Sequence, residues 1–290
     1  MSFCNEVKSE LAVIKTHKCC LRAVGMGLSV ALKALSDSRA VLRTEQADTA
    51  MLAASRLSKL YNQECETKVS ANGKLYTVTL RSEAVCNSLK AGRMIDMEHI
   101  CKPCCVAAFI RGVFLSCGHM VDPKKNYRLD FLMPDERSAD TLCQLLADNG
   151  FTPKRSKRND GSVCVYFIDS TSIEDLLTFM GAVNSSLTLM EIKVEKNYTN
   201  ALNRRGNFDT ANYVKTYAIA QAQIAAIERL KECGKFGELS DDLREIADLR
   251  LEYTDATLNE LAALSHLGRS TVDRRLKKIM QLSEEINTRR

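Results

Sequence analysis

The 290-residue sequence predicts an α+β chain: a duplicated αββαββ N-terminal domain followed by an all-α C-terminal domain that carries a helix-turn-helix. Three observations carry that prediction. Part of the first two-thirds matches itself at a shift of 85 residues. Two hairpin signals, Asn72-Gly73 and Asp160-Gly161, fall 88 residues apart, at corresponding places in the two copies. Near the end, a capped short helix, a Gly-containing turn and a basic amphipathic helix follow one another.

Composition sets the frame. Apolar residues make up 45% and charged residues 27%, ordinary values that exclude wholesale disorder and collagen-like repetition. A domain holds roughly 100–200 residues, so two are expected. No apolar run reaches the ~18–20 residues of a membrane span; the nearest, Cys104–Cys117, is interrupted by Arg111. The first residues show no basic stretch followed by an apolar one, so no export signal is read and a cytoplasmic address is expected. The charge of +5 says less than its distribution. Residues 152–158 hold four cations and no acid, and residues 269–290 hold seven cations against three acids.

In the repeat, Cys19-Cys20 falls on Cys104-Cys105, Ala23 on Ala108, Gly27 on Gly112 and Asp37 on Asp122. A helical pattern follows each copy's first helix, at about 48–62 and 137–149. Then come two strands around the Asn-Gly or Asp-Gly turn, which suits a type I′ hairpin because both central residues need positive φ. β-favouring side chains are dense in 75–80 and 162–167, and a short helix is read at 172–180. Gly27 and Gly112 would let the two repeat helices approach closely at the centre of a pseudo-twofold domain.

The stretch Ile110-Arg111-Gly112-Val113-Phe114-Leu115-Ser116-Cys117-Gly118 resembles a degenerate copy of the LAGLIDADG motif of homing endonucleases. That family ends each of two such helices in an acid that holds a divalent metal. Here Cys117 takes the acidic position in the second repeat and Leu32 in the first. Magnesium demands hard oxygen ligands, which neither side chain supplies, so no catalytic residue is assigned and loss of cleavage is expected.

Residues 197–212 are rich in Asn and Arg and poor in apolar residues, a linker composition. Asn203 and Arg204 could contact phosphate or base edges, or simply belong to a solvated loop. A helix is read from about 211 to 233, stopped by Gly234, and another after Ser240. Thr257-Leu258-Asn259-Glu260 is a capping box opening a short helix. The turn His266-Leu267-Gly268-Arg269 follows, with Ser270 expected to cap the next helix and Asp273 at its box position. That helix would bury Val272, Leu276 and Ile279 and turn Ser270, Thr271, Arg274, Lys277, Lys278 and Gln281 outward. A helix-turn-helix with this face predicts binding to double-stranded DNA. Arg269, Ser270, Thr271, Arg274, Lys277 and Lys278 are the candidates, with Arg suited to guanine and Lys to phosphate.

Together these segments resemble the WhiA family over nearly the whole chain. The matches include Ser2-Phe3, Glu10-Leu11-Ala12, the two Cys-Cys pairs, Phe109–Leu115, Asn203-Arg204, Asp209-Thr210-Ala211-Asn212, Leu249-Arg250-Leu251-Glu252 and Arg275–Ile279. The resemblance implies a nuclease-derived domain without nuclease activity, a DNA-binding C-terminal domain, and transcriptional regulation tied to cell division, chromosome segregation and, in spore formers, sporulation. Asp273-Arg274 stands where the family commonly has Asn-His, which puts the preferred DNA sequence in doubt. The expected divisions are 1–194, with repeats at about 19–100 and 104–185, a linker at 195–212, and a helical domain at 213–290 with its helix-turn-helix at about 257–284.

Twelve cysteines remain. Cys101, Cys104, Cys117 and His119 mimic a zinc spacing, but a helix over 104–117 would set its ends roughly 20 Å apart. Cys19, Cys20, Cys104 and Cys105 could meet; the reading preferred is small apolar residues in a core, with no metal and no cofactor. The four histidines share no motif, and no nucleophile–base pair or small-molecule substrate is evident. Two alternatives to the regulator stay open: an active endonuclease, and an adaptor contacting RNA polymerase sigma factor or a division protein.

Overall fold

In the computed structural model, which describes residues 2–91, 97–100 and 102–288, the chain divides into two compact units, Met1–Asn197 and Tyr198–Arg290. Unit 1 opens with α1 (Phe3–Ala12), which the sequence reading did not assign. It buries Cys4, Val7 and Leu11 at helical spacing and is capped by the Ser2 hydroxyl, which accepts from Asn5 N.

The first repeat is α2 (Leu21–Ser29), β1 (Lys33–Ala34), β2 (Arg39–Thr44), α3 (Ala47–Tyr61), β3 (Cys65–Val69), β4 (Tyr76–Arg81) and α4 (Glu83–Ala91). The second is α5 (Pro103–Cys117), β5 (Gly118–Met120), β6 (Leu129–Met133), α6 (Glu136–Asp148), β7 (Lys154–Lys157), β8 (Val163–Phe167) and α7 (Ser170–Met180). Each repeat folds into a four-stranded antiparallel sheet, in the orders β1-β2-β4-β3 and β5-β6-β8-β7. The shared order is the structural form of the duplication. Gly73 and Gly161 take positive φ but Asn72 and Asp160 do not, so neither turn is the expected type I′. Each glycine instead closes a turn, donating from its N to Ser70 O at 2.9 Å and to Arg158 O at 3.1 Å, and itself lies in the left-handed region.

The two repeat helices cross at their glycines. A methyl group on Gly27 would stand 2.7 Å from Val113 N, and one on Gly112 would stand 3.0 Å from Leu28 N. Around this crossing Val24, Leu28, Phe109, Ile110, Val113 and Phe114 are fully buried, and Phe114 meets Phe131 edge-on at 5.9 Å.

The segment 195–212 is not a loop. It lies inside α8, a single helix over Val183–Glu232. Residues 197–215 of this helix are exposed on every side, which is why no apolar stripe announced it. The helix begins in unit 1, where the Glu10 carboxylate accepts from Asn184 N at 2.8 Å and Ser185 N at 2.9 Å. These are two of the amide groups a helix start leaves without partners. It ends in unit 2, stopped as expected at Gly234, whose φ is +68°.

Unit 2 continues with α9 (Asp241–Glu252), α10 (Leu258–Leu264) and α11 (Arg269–Thr288). Its separate core joins Ile227, Leu230, Leu239, Ile246, Leu261, Val272, Leu276 and Ile279.

Candidate nucleic-acid interface

The short helix α10 starts on the capping box read from the sequence: Glu260 N donates to Thr257 Oγ1 at 3.3 Å, and Thr257 N to Glu260 Oε2 at 2.7 Å. The Thr257 amide holds the Glu260 carboxyl below its ordinary range. The turn into α11 departs from expectation. His266, not a glycine, takes the left-handed conformation, with φ +56°. Ser270 is not the cap, because α11 already includes Arg269. The Gly268 carbonyl accepts from Val272 N at 3.1 Å and begins the helix. Asp273, freed from a box role, pairs with Lys277 one turn on at 2.7 Å.

Two arginines outside the candidate set hold this frame. Arg250 is 2% exposed and donates from Nη1 to the carbonyls of Ala256, at 2.6 Å, and Tyr253, at 3.3 Å. It thereby fixes the connection between α9 and α10, while burial lowers its pKa. Arg275 binds the Asp242 carboxylate at 2.9 Å and its carbonyl at 3.3 Å, tying α11 to α9. Arg250 had one readable signal: it falls on the same face of α9 as Ile246 and Ala247.

At 100° per residue, Ser270, Arg274, Lys277 and Gln281 form one stripe of α11, with Lys278 beside it. All five are exposed, and the opposite stripe of Val272, Leu276 and Ile279 is buried. Thr271 is half-buried on the flank. Arg269 sits in the first turn, about 100° round from Ser270, beside a groove formed with Thr216, Gln223 and Asn259. Among the described residues, Arg269, Arg274 and Lys278 enter no ion pair, so their charge is available to an anionic partner. Asn203 and Arg204 are exposed, but on helix rather than loop. Roughly 25 Å of helix separates them from Ala220, where α8 begins to bury side chains in unit 2. Arg289 and Arg290 lie outside the described residues.

Unit 1 offers less free charge than its sequence. Arg155 pairs with Asp140 at 2.7 Å and Glu136 at 3.2 Å, and Lys157 pairs with Glu136 at 3.0 Å. The acids missing from 152–158 come from α6. At the ends of the repeat helices, Leu32 is fully buried and Cys117 half-buried. A groove there is lined by Lys33, Arg43, Ser116 and Cys117. Its carboxylate, Asp160, is turned into its own hairpin, accepting from Ser162 N at 3.0 Å and Ser162 Oγ at 2.6 Å. Lys8, whose pKa burial lowers, has its Nζ 5.9 Å from the centroid of the Phe114 ring. The place that would need two acids holds a leucine, a thiol and cations.

Helix α5 runs unbroken from 103 to 117, so Cys104 and Cys117 lie at opposite ends; Cys101 lies outside the described residues. Cys19, Cys20, Cys104 and Cys105 do meet, their sulfurs all within 4.8 Å of one another. Packing accounts for the buried Cys20 and Cys105 but not for Cys19 and Cys104, which are exposed. Burial pushes the Cys20 and Cys105 thiols up, and hydrogen bonding with Cys20 lowers that of Cys104.

Among the described residues, no helix is long and apolar enough to cross a membrane. Family models match two stretches: the WhiA LAGLIDADG-like domain over residues 106–199 and the WhiA C-terminal HTH domain over residues 202–283. The chain is 31% identical over 308 residues to the probable cell division protein WhiA of Oceanobacillus iheyensis, covering 99% of this chain and 98% of that one. It is 30% identical over 310 residues to the protein of the same name from Bacillus subtilis, again covering 99% and 98%. The crystal structure of full-length WhiA from Thermotoga maritima superposes with a TM-score of 0.60 at 23% identity, over 98% of both chains, a likeness of fold.

Proposed function

Because this chain belongs to the WhiA family, we propose that it is a sequence-specific DNA-binding transcriptional regulator. Its processes are cell division, chromosome segregation and, where the source forms spores, sporulation. Its place is the cytoplasm, on the nucleoid. The observation that carries the reading is the exposed stripe of α11, in which Arg274 and Lys278 enter no ion pair among the described residues and stand opposite a buried apolar stripe. With α11 in the major groove, Arg274 is suited to the O6 and N7 acceptors of guanine. Ser270 and Thr271 reach base edges or phosphate near the helix start, and Lys277, Lys278 and Arg269 neutralise phosphates. Asn203 and Arg204 add contacts where DNA extends along α8. Arg250 and Arg275 act through the helices they hold.

The N-terminal domain, LAGLIDADG-like in fold, is inactive as a nuclease in this reading, because Leu32 and Cys117 replace the acids that magnesium would require. Magnesium-dependent cleavage of supercoiled DNA by the purified chain would overturn that part.

The main test is anisotropy titration of the full chain with labelled duplexes from division-gene promoters across a salt series. Arg274→Ala with Lys278→Ala is expected to weaken binding by about 10–100-fold and to reduce the salt slope by about 1–2. Unchanged affinity would remove α11 as the reading helix.

A second reading, contact with RNA polymerase sigma factor, is favoured by exposed apolar side chains along α8, among them Tyr198, Leu202, Phe208 and Tyr213. Capture of sigma factor with and without DNA separates it from the first.

A further inference from the structure

The amino ends of the two repeat helices bring four thiols to one point. Cys19 and Cys20 sulfurs are 3.6 Å apart, and the pairs Cys19–Cys104 and Cys20–Cys105 are each 4.0 Å apart. Every one of the six separations is within 4.8 Å. Four sulfurs held at ~2.3 Å from a tetrahedral zinc ion stand roughly 3.8 Å from one another, so shifts of a few tenths of an ångström to about an ångström close the site. Iron–sulfur clusters place several irons and bridging sulfides between their cysteines and spread the sulfurs further than this.

The helix ends favour thiolates, against the burial that pushes the Cys20 and Cys105 thiols up. Cys20 directly precedes α2, and Cys104 and Cys105 lie in the first turn of α5, so both helix dipoles present their positive ends to the cluster. Arg111, on the same helix, is only 8% exposed, and burial lowers its pKa. A Zn²⁺ ion with four thiolates carries a net charge of about −2 and would supply this buried cation with a countercharge. The exposure of Cys19 and Cys104 opens a route to solvent.

We propose that Cys19, Cys20, Cys104 and Cys105 form a closed, tetrahedral zinc site that clamps the amino ends of the two repeat helices together. Binding replaces four S–H bonds by four Zn–S bonds and releases the protons to solvent, with no change of oxidation state. With all four positions taken by protein, the ion is structural. The glycines close the crossing of the repeat helices at its middle, and the metal closes it at one end.

The test uses the untagged full-length chain, expressed with added zinc and purified in a phosphine reductant. Elemental analysis is expected to find about one zinc per chain. Four thiols should be protected from a disulfide reagent and become reactive when a strong chelator strips the metal. Cobalt substitution should produce the visible bands of a tetrahedral thiolate complex. The double variant Cys19→Ser, Cys104→Ser changes exposed positions, so its circular dichroism should persist while its zinc is lost. Cys143→Ser, outside the cluster, should keep it. Three results would each overturn the proposal: no metal with freely reactive thiols, zinc retained undiminished in the double variant, or recovery of the cluster as a Cys19–Cys104 disulfide from protein kept under reductant.

Discussion

At Gly112 a single methyl group decides whether unit 1 can close. It would stand 3.0 Å from Leu28 N and closer still to the Val24 carbonyl, both backbone atoms that cannot swing aside. Gly112→Ala must therefore spread α2 from α5, and we expect it to destabilise the chain by at least about 1–3 kcal/mol, read as a lower urea midpoint. An unchanged midpoint would mean that the helices do not meet there. This close approach was legible in the sequence, because two glycines fell at matched positions of a repeat. Residues that act through burial were harder to read. Arg250 looks like one more surface cation until its carbonyl partners are seen. Glu10 gives no hint in sequence of capping a helix 174 residues away. Cys19 and Cys104 differ from Cys20 and Cys105 only in exposure, which a sequence does not carry.

Among the elements, α8 differs most from what the sequence predicts, running as helix through the expected linker. Between residues 197 and 215 it is exposed all round, so its hydrogen bonds there lack the support of packing. Amides of 198–215 are expected to exchange with deuterium at least about 10-fold faster than those of 220–232, where Ala220, Ile224, Ile227 and Leu230 are buried. Gly206, helical and with open space around it, weakens the stretch further. Gly206→Ala should slow that exchange by an amount corresponding to roughly 1 kcal/mol. Equal protection along the whole helix would show that something else covers it. The hairpins, the helices of the repeats and α10 were readable because each carries local chemistry: a turn dipeptide, a capping box, an apolar period. The start of α11 was misplaced by one residue pair because Ser270 is a good capping residue in the wrong place. The chain enters the helix through His266 in the left-handed region, and Gly268 opens it.

For the whole molecule, the two hydrophobic cores have no residue in common. Calorimetry of the full chain is expected to resolve two transitions. Gly112→Ala should lower one. Arg250→Ala, which leaves the Ala256 carbonyl without its donor and the Tyr253 carbonyl with only the Ala256 amide, should lower the other by roughly 10–20 °C, for a cost of about 2–4 kcal/mol. One transition shifted equally by both variants would contradict separate cores. The charge follows the same division. In unit 1 the basic strand β7 is answered by acids of α6, whereas in unit 2 Arg274 and Lys278 of the α11 stripe enter no ion pair among the described residues. That contrast, rather than the net charge, directs the DNA-binding proposal to unit 2.

The sequence by itself determined the α+β duplication, the hairpins, the helix-turn-helix and the matched places of Leu32 and Cys117, because each is written in residue type and spacing. Only the tertiary structure decided that 195–212 is helix, that Lys157 and Arg155 are already paired, that Arg250 and Arg275 hold the frame, and that four cysteines from two repeats share one point. Those facts depend on which side chains are buried and on what faces them from elsewhere in the chain. Apart from the repeat's own matched glycines and cysteines, such contacts leave no local pattern for a sequence to show, as with Glu10 and Asn184.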